Sequence, residues 1–371
     1  MTIQDHNVQS DMAAGVRRSV RLLSIQYTRA VAAISVVFFH AFNDAGVTHY
    51  PEQVLQAGVD LFFAISGFIM WVTTYGSETG PRAFLRRRII RIVPLYWVFT
   101  GFAVLVALVA PQLGKRTGSL DAIASFFFLP AVNTATHQTQ PVIAPGWTLN
   151  HEMLFYLIFA VALLLPGKRR FVAVVAGNVG LVIVGLFAHS PLVVSFYTNP
   201  IVLEFVFGVI VGLLYTSGHR MSRRTSAAVV TAGALTMIAL AAAWGQTAIL
   251  RVVVWGIPAA LIVLALALTE NTRPVADRRR LRFLGDASYS IYIVHGVLLS
   301  AMLSVLHHAH VPTIIMIPVG GPLAVIAGAV VYTYLERPMT NYLRGVGRRS
   351  LVPAVTAVAL VQPETVGTAE G

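Results

Sequence analysis

The chain has 371 residues, 56% of them hydrophobic and only 11% charged, with a mean hydropathy of +0.73. A soluble domain of this size needs far more Lys, Arg, Asp and Glu on its surface, so a soluble enzyme is excluded. The net charge of +12 lies in short stretches between apolar runs, which argues against a nucleic-acid partner. With no cysteine, a disulfide framework, a thiolate nucleophile and a Cys-ligated metal are excluded as well.

The first twenty or so residues are polar and no small-residue cleavage site follows, so the first apolar run reads as a retained helix and not a signal peptide. Apolar runs long enough to cross a bilayer then recur at 26–42, 54–74, 89–110, 146–165, 171–188, 200–215, 226–243, 251–268, 283–306 and 314–335. The expected fold is an all-α integral membrane protein of about ten transmembrane helices. Between the third and fourth runs, the apolar piece 125–129 is too short to span and reads as re-entrant or interfacial. Residues 1–21 are expected as an N-terminal segment and 343–371 as a C-terminal tail.

Orientation follows from the basic residues. Counting loops alternately, every Lys and Arg falls on one side except Lys115, Arg116 and Arg251 opposite and Arg29 within the first helix. Basic loops stay cytoplasmic, so both termini are expected inside.

Ionisable residues within the spans cost several kcal/mol in hydrocarbon, on the order of 2.5–3.5 by insertion measurements, and therefore face the bundle interior. They are Arg29 and His40 on the first helix, Asp60 on the second, Glu152 on the fourth, Glu204 on the sixth and His295 on the ninth. Arg29 and His40 are close to three full turns apart, so they share a face and are separated by about 16 Å. Asp60, Glu152 and Glu204 enter from the outside and reach a depth of roughly 8–10 Å. His295 enters from the inside and reaches about the midplane. Alone, Arg29 could snorkel to the headgroups and His40 could satisfy a core hydrogen bond. Together on one face, with acids at matching depth, they read as a functional group in which a carboxylate orients a histidine base. An arginine at the cytoplasmic mouth suits an anionic ligand such as a phosphate.

Arg82, Arg86, Arg87, Arg88 and Arg91 precede Pro94-Leu95-Tyr96-Trp97. Arg87 and Arg91 are one turn apart and can grip a phosphate jointly, although positive-inside anchoring accounts for most such clusters. Other motifs are weak. His151-Glu152 begins a zinc-protease pattern, but Phe155 stands where its second histidine belongs. Ser66-Gly67 has Ala64 where a nucleophile elbow needs glycine. His307, His308 and His310 read as solvated loop histidines and not as a metal site.

These residues resemble the acyltransferase 3 family of membrane O-acyltransferases. The matching blocks run in order over about residues 22–342: Arg29-Ala30 with His40, Gly58 through Phe63 into Ser66-Gly67-Phe68, and the basic cluster ending in Arg91 before Pro94-Leu95-Tyr96-Trp97. Pro145-Gly146-Trp147-Thr148-Leu149 follows with Glu152 and Phe155-Tyr156, then Glu204-Phe205 with Gly208. Phe283-Leu284-Gly285, Ser288-Tyr289-Ser290-Ile291-Tyr292 with His295, and Glu336-Arg337-Pro338 complete the set. Within the family the chain is similar to the short exopolysaccharide-modifying members related to rhizobial succinoglycan acetyltransferases.

The resemblance implies a multi-pass protein of the bacterial cytoplasmic (inner) membrane with 22–342 as its acyltransferase membrane domain. It implies transfer of an acyl group, usually acetyl, from cytoplasmic acyl-CoA to a hydroxyl of a polysaccharide or lipid-linked sugar. Acetyl-CoA would be a co-substrate, with no permanently bound cofactor or metal. His40 matches the family's essential histidine and Arg29 its arginine partner. The basic cluster, with Arg86, Arg87 and Arg91, matches a second arginine motif on the acyl-CoA side. Glu152 is the candidate acid beside His40, while Asp60, Ser66, Trp147, Glu204, Tyr289 and His295 are candidate substrate or structural polar groups. Thr148 stands where the family commonly has serine. Many relatives carry a periplasmic hydrolase-like domain after the membrane unit; none follows in these residues, so acceptor handoff is expected to use another route. The competing class is a transporter of an anionic or sugar-linked solute, for which intramembrane His, Glu and Arg are equally natural, although the paired broken helices of such folds are not seen.

Overall fold

A computed structural model describes residues 22–47, 52–110, 118–134, 137–187, 192–241 and 248–349. The N-terminal segment 1–21, Lys115, Arg116 and nearly all of the 343–371 tail therefore lie outside the described residues. The described chain is helical and has no β-strand, only an isolated bridge between Val132 and Thr139. Its main helices are α1 (Leu23–Asp44), α2 (Gly58–Thr74), α3 (Pro81–Val109), α4 (Ser119–Phe126), α5 (Gly146–Ala162), α6 (Gly167–Phe187), α7 (Leu203–Thr216), α8 (Arg223–Ala241), α9 (Ile257–Glu270), α10 (Arg279–His308), α11 (Gly320–Val331) and α12 (Arg337–Arg349).

Nine helices among the described residues are long and apolar enough to cross a membrane. The remaining expected span is α5, which has only 17 residues, or about 25 Å of helix against a hydrocarbon core of about 30 Å. The outer faces of α3, α5 and α6 carry exposed Leu105, Leu108, Val161, Leu186 and Phe187. Asp60, Glu204, Ser288, Ser290 and His295 are fully buried. Apolar outside and polar inside is the polarity of a protein dissolved in lipid, so this is a multi-pass membrane protein.

Close helix contacts set where the polar groups meet. α2 and α7 cross at Gly67 and Gly208, where a Cβ on either glycine would lie 2.0 Å from a carbonyl oxygen of the other helix. Such small-residue crossings are the usual way for backbones to approach in lipid. Similarly, a Cβ on Gly285 would lie 2.1 Å from the Gln26 carbonyl oxygen, so α10 runs against α1. The start of α1 is capped from α9. The Glu270 carboxylate accepts from the Leu23 and Ser24 amides at 2.8 and 2.9 Å and from Ser24 Oγ at 2.5 Å, satisfying donors that a helix start leaves open.

Two helices are interrupted by π turns, at Val252–Gly256 and Tyr332–Glu336. Both lie beside a buried carboxyl group, Glu204 in the first case and Glu336 in the second. The piece expected as interfacial is α4, a short helix with Leu120, Ile123 and Phe127 exposed. Asp121 holds its loop by accepting from Gly118 N, Thr134 N and Thr134 Oγ1 at 3.2, 2.8 and 2.5 Å. Burial acts to raise the Asp121 pKa, but those three donors outweigh it and hold the carboxyl below its ordinary value.

Candidate active site

A cavity of about 570 Å³ opens between α1, α2, α3, α5 and α10. Its basic end is formed by Arg29, Arg87, Arg88, Arg91 and Arg344, and its deeper wall by Val59, Phe62, Thr148 and Tyr292. Three of these arginines have defined neighbours. Arg29 donates from Nη2 to Ser288 Oγ at 2.9 Å and from Nη1 to Gln26 Oε1 at 3.4 Å. Arg88 lies 5.6 Å over the Phe84 ring and 6.0 Å over Tyr156, and Arg87 donates to Thr79 Oγ1 at 3.0 Å. Glu336, which accepts from Ser290 Oγ at 2.5 Å, is within electrostatic reach of Arg91 and Arg29. None of the five arginines forms an ion pair among the described residues. The cavity lining therefore holds five arginines against one carboxylate, Glu152.

Arg86 was expected here, but it is exposed and donates to the Leu343 carbonyl at 3.3 Å, outside the cavity wall. Arg88, named from the sequence only within the basic cluster, lines the cavity, as do Arg344, Ser288, Tyr156 and Tyr292, which were not singled out. Ser288, Tyr156 and Tyr292 did stand inside recognisable blocks; nothing in the pattern distinguished Arg344.

The acids divide into two places. Glu152 faces the cavity, where its Oε1 accepts from Ser66 Oγ at 2.8 Å and from the Tyr156 hydroxyl. Its hydrogen-bond partners are thus Ser66 and Tyr156, and not His40. Asp60 and Glu204 lie elsewhere, beside Arg251. Arg251 Nε and Nη2 donate to the two Asp60 oxygens at 3.1 and 2.8 Å, a bidentate pair with Asp60 wholly buried. The guanidinium also lies 5.4 Å from the Trp255 ring centroid. Glu204 packs against Gly256, where a Cβ would stand 2.8 Å from the glutamate Cγ. Arg251, counted on the outer side at the start of an apolar run, is an ion-pair partner within the bundle.

His40 meets a histidine. Its ring centroid lies 5.1 Å from that of His295 and 5.1 Å from that of Phe39. Thus Arg29 and His40 on α1 face Ser288 and His295 on α10, in agreement with their shared helical face. His295 is fully buried; its Nδ1 lies 3.3 Å from the Ile291 carbonyl oxygen. Tyr289 lines the cavity and donates to the Ile92 carbonyl at 2.7 Å, tying α10 to α3. Trp147 packs edge-on to Phe63 and to His151, at 6.4 and 5.7 Å, as part of the aromatic core. His151 spans the Trp147 and Phe196 carbonyl oxygens, each at 3.1 Å. No three His, Cys, Asp or Glu among the described residues come together as a metal site.

An arginine-rich cavity thus lies beside the pair of half-buried His40 and fully buried His295, in an all-helical membrane bundle. In the family comparison, the acyltransferase domain of the acyltransferase 3 family matches residues 22–333. The chain belongs to that family and is an acyltransferase, which decides against the transporter reading. It is similar to the exopolysaccharide production protein ExoZ of Rhizobium meliloti (strain 1021), with 35% identity over 327 residues, 84% of this chain and 96% of that protein. It is also similar to Protein 2 in the picA locus of Rhizobium radiobacter, with 28% identity over 159 residues, 38% of this chain and 81% of that protein. No solved structure matches the chain.

Proposed function

We propose that the protein transfers an acetyl group from cytoplasmic acetyl-CoA to a sugar hydroxyl of an exopolysaccharide or its lipid-linked precursor, in the bacterial inner membrane. The carrying observation is the group of un-ion-paired arginines at the mouth of the cavity, of which Arg29 shares α1 with His40 about three turns further along. Ten spans, with α5 as the short one, and both termini in the cytoplasm would place that mouth where acyl-CoA is made. The name of the rhizobial relative supports the polysaccharide acceptor.

In this reading Arg29, Arg87, Arg88 and Arg91 hold the CoA phosphates, and the pantetheine arm runs between α2 and α5. His40 takes the proton of the acceptor hydroxyl, whose oxygen attacks the thioester carbonyl. The tetrahedral intermediate collapses to ester and CoA thiolate, and the imidazolium returns the proton to the thiolate. Glu152 fixes Ser66 and Tyr156 along the donor path.

Two measurements test this. Acetyl-CoA should raise the unfolding temperature of the detergent-solubilised protein, while an analogue lacking the phosphates should not. Deletion of the gene should remove O-acetyl groups from the cell-surface polysaccharide by mass analysis. A polysaccharide with unchanged acyl content would refute the acceptor assignment.

A further inference from the structure

The cavity and the histidine pair are adjacent but separate, and one residue stands between them. Tyr292 lines the cavity on one side, and its ring centroid lies 5.6 Å from that of His295 on the other. Neither His40 nor His295 forms part of the cavity wall. The tyrosine is held from above and from the side. Its hydroxyl lies 2.9 Å from Thr148 Oγ1 and donates to the Pro145 carbonyl oxygen at 3.2 Å, while Thr148 Oγ1 donates to the same carbonyl at 3.0 Å. Phe62 of α2 meets its ring edge-on at 5.7 Å, closing the other half of the passage.

We propose that Tyr292 is the gate of the acyl path: with Phe62 it seals the donor cavity from the compartment of His40 and His295, and the Thr148–Pro145 tether keeps it shut. The inference rests on the reading of the cavity as the donor site. A thioester at the inner end of the cavity cannot meet a hydroxyl beside His40 while the ring lies across the passage, so the ring must swing for transfer. The physical use of a shut gate is to keep water from a bound thioester until the acceptor is in place. Pro145 caps the start of α5 and Thr148 lies in its first turn, so a shift of that helix start would release the hydroxyl and open the path.

The absence of cysteine from the whole chain permits a direct test on the full-length protein in detergent. A cysteine introduced as H295C lies behind the gate, at a wholly buried position. A cysteine introduced as S66C lies in the cavity wall. A small water-soluble methanethiosulfonate should modify S66C readily and H295C slowly. Adding Tyr292→Ala removes the ring from a close-packed barrier, and the H295C rate should then rise about tenfold or more, with acetyl-CoA slowing it again. If Tyr292→Ala does not yield folded protein, Phe62→Ala opens the other leaf and should give the same rise. A rate for H295C that stays within about twofold in a folded gate variant would overturn the gate. Failure of acetyl-CoA to protect S66C would instead overturn the donor reading, while the ligand-free comparison of H295C rates would still decide whether Tyr292 is the barrier.

Discussion

Arg251 lies inside the bundle and the cavity arginines line its basic end, with Arg87 and Arg344 exposed there, and the two groups end in opposite circumstances. Arg251 is grasped by both oxygens of a fully buried Asp60 and covered by the Trp255 ring. Arg29, Arg87 and Arg88 hold hydroxyls, an amide and aromatic faces, and neither they nor Arg91 have a carboxylate in ion-pair contact. A cation that already has its counter-ion stabilises the fold. A cluster of cations that lacks one is arranged for an anion that arrives from outside. In the proposed reading the same residue type is structural at one place and ligand-binding at the other, and the carboxylate marks the difference.

The largest effect should come from breaking the satisfied pair. Arg251→Met leaves Asp60 charged and unpaired in the interior, which should cost about 3–5 kcal/mol. Unfolding in detergent reads this, and the double variant Asp60→Leu/Arg251→Met should recover most of the loss. A tolerant Arg251→Met would erase the distinction drawn above. Next comes the cavity. Arg91→Ala should leave the unfolding temperature of the free protein within about a degree but weaken acetyl-CoA binding by about ten- to a hundredfold, the worth of about 1.5–3 kcal/mol for hydrogen bonds to a charged group. Isothermal titration would show it. Arg86→Ala, outside the cavity wall, should bind acetyl-CoA like the parent protein in the same titration.

A third carboxylate, Asp121, sharpens the comparison from outside the membrane. It is satisfied by hydrogen bonds alone, and its folded pKa lies below the unfolded value of about 3.9. Its contribution to stability is therefore complete above about pH 4 to 5 and is lost as pH falls through the folded pKa. Hydrogen exchange in residues 118–134 should accelerate below about pH 4 in the parent protein. Asp121→Asn should exchange faster at neutral pH and lose that pH dependence. This is the smallest of the effects, being confined to one loop.

Periodicity made the long helices readable, and it also placed Arg29 and His40 on one face, because three turns along a helix is a fact about the backbone alone. It could not say which residues of other helices they would meet. Rise per residue gives depth in the bundle but no azimuth, so Glu152, Asp60 and Glu204 looked like one group. Packing sends Glu152 to Ser66 and Tyr156 and the other two to the neighbourhood of Arg251. Arg251 drew no attention as an ion-pair partner because it sits at the first residue of an apolar run, where positive-inside counting registers only the side of a cation. Its partner is 191 positions away, beyond any spacing rule. Tyr292 drew no attention for a related reason: a tyrosine among apolar residues has no local mark of a gate until Thr148 and Phe62 are seen to close on it.

The central claim is that His40 performs the chemistry while the arginines below it hold the donor, and one paired measurement on His40→Ala tests it most directly. Membranes carrying this variant, supplied with labelled acetyl-CoA and polysaccharide acceptor, should lose transfer by about a hundredfold or more, while the purified variant binds acetyl-CoA as tightly as the parent protein. Transfer at the parental rate, or loss of donor binding together with transfer, would contradict that division of labour.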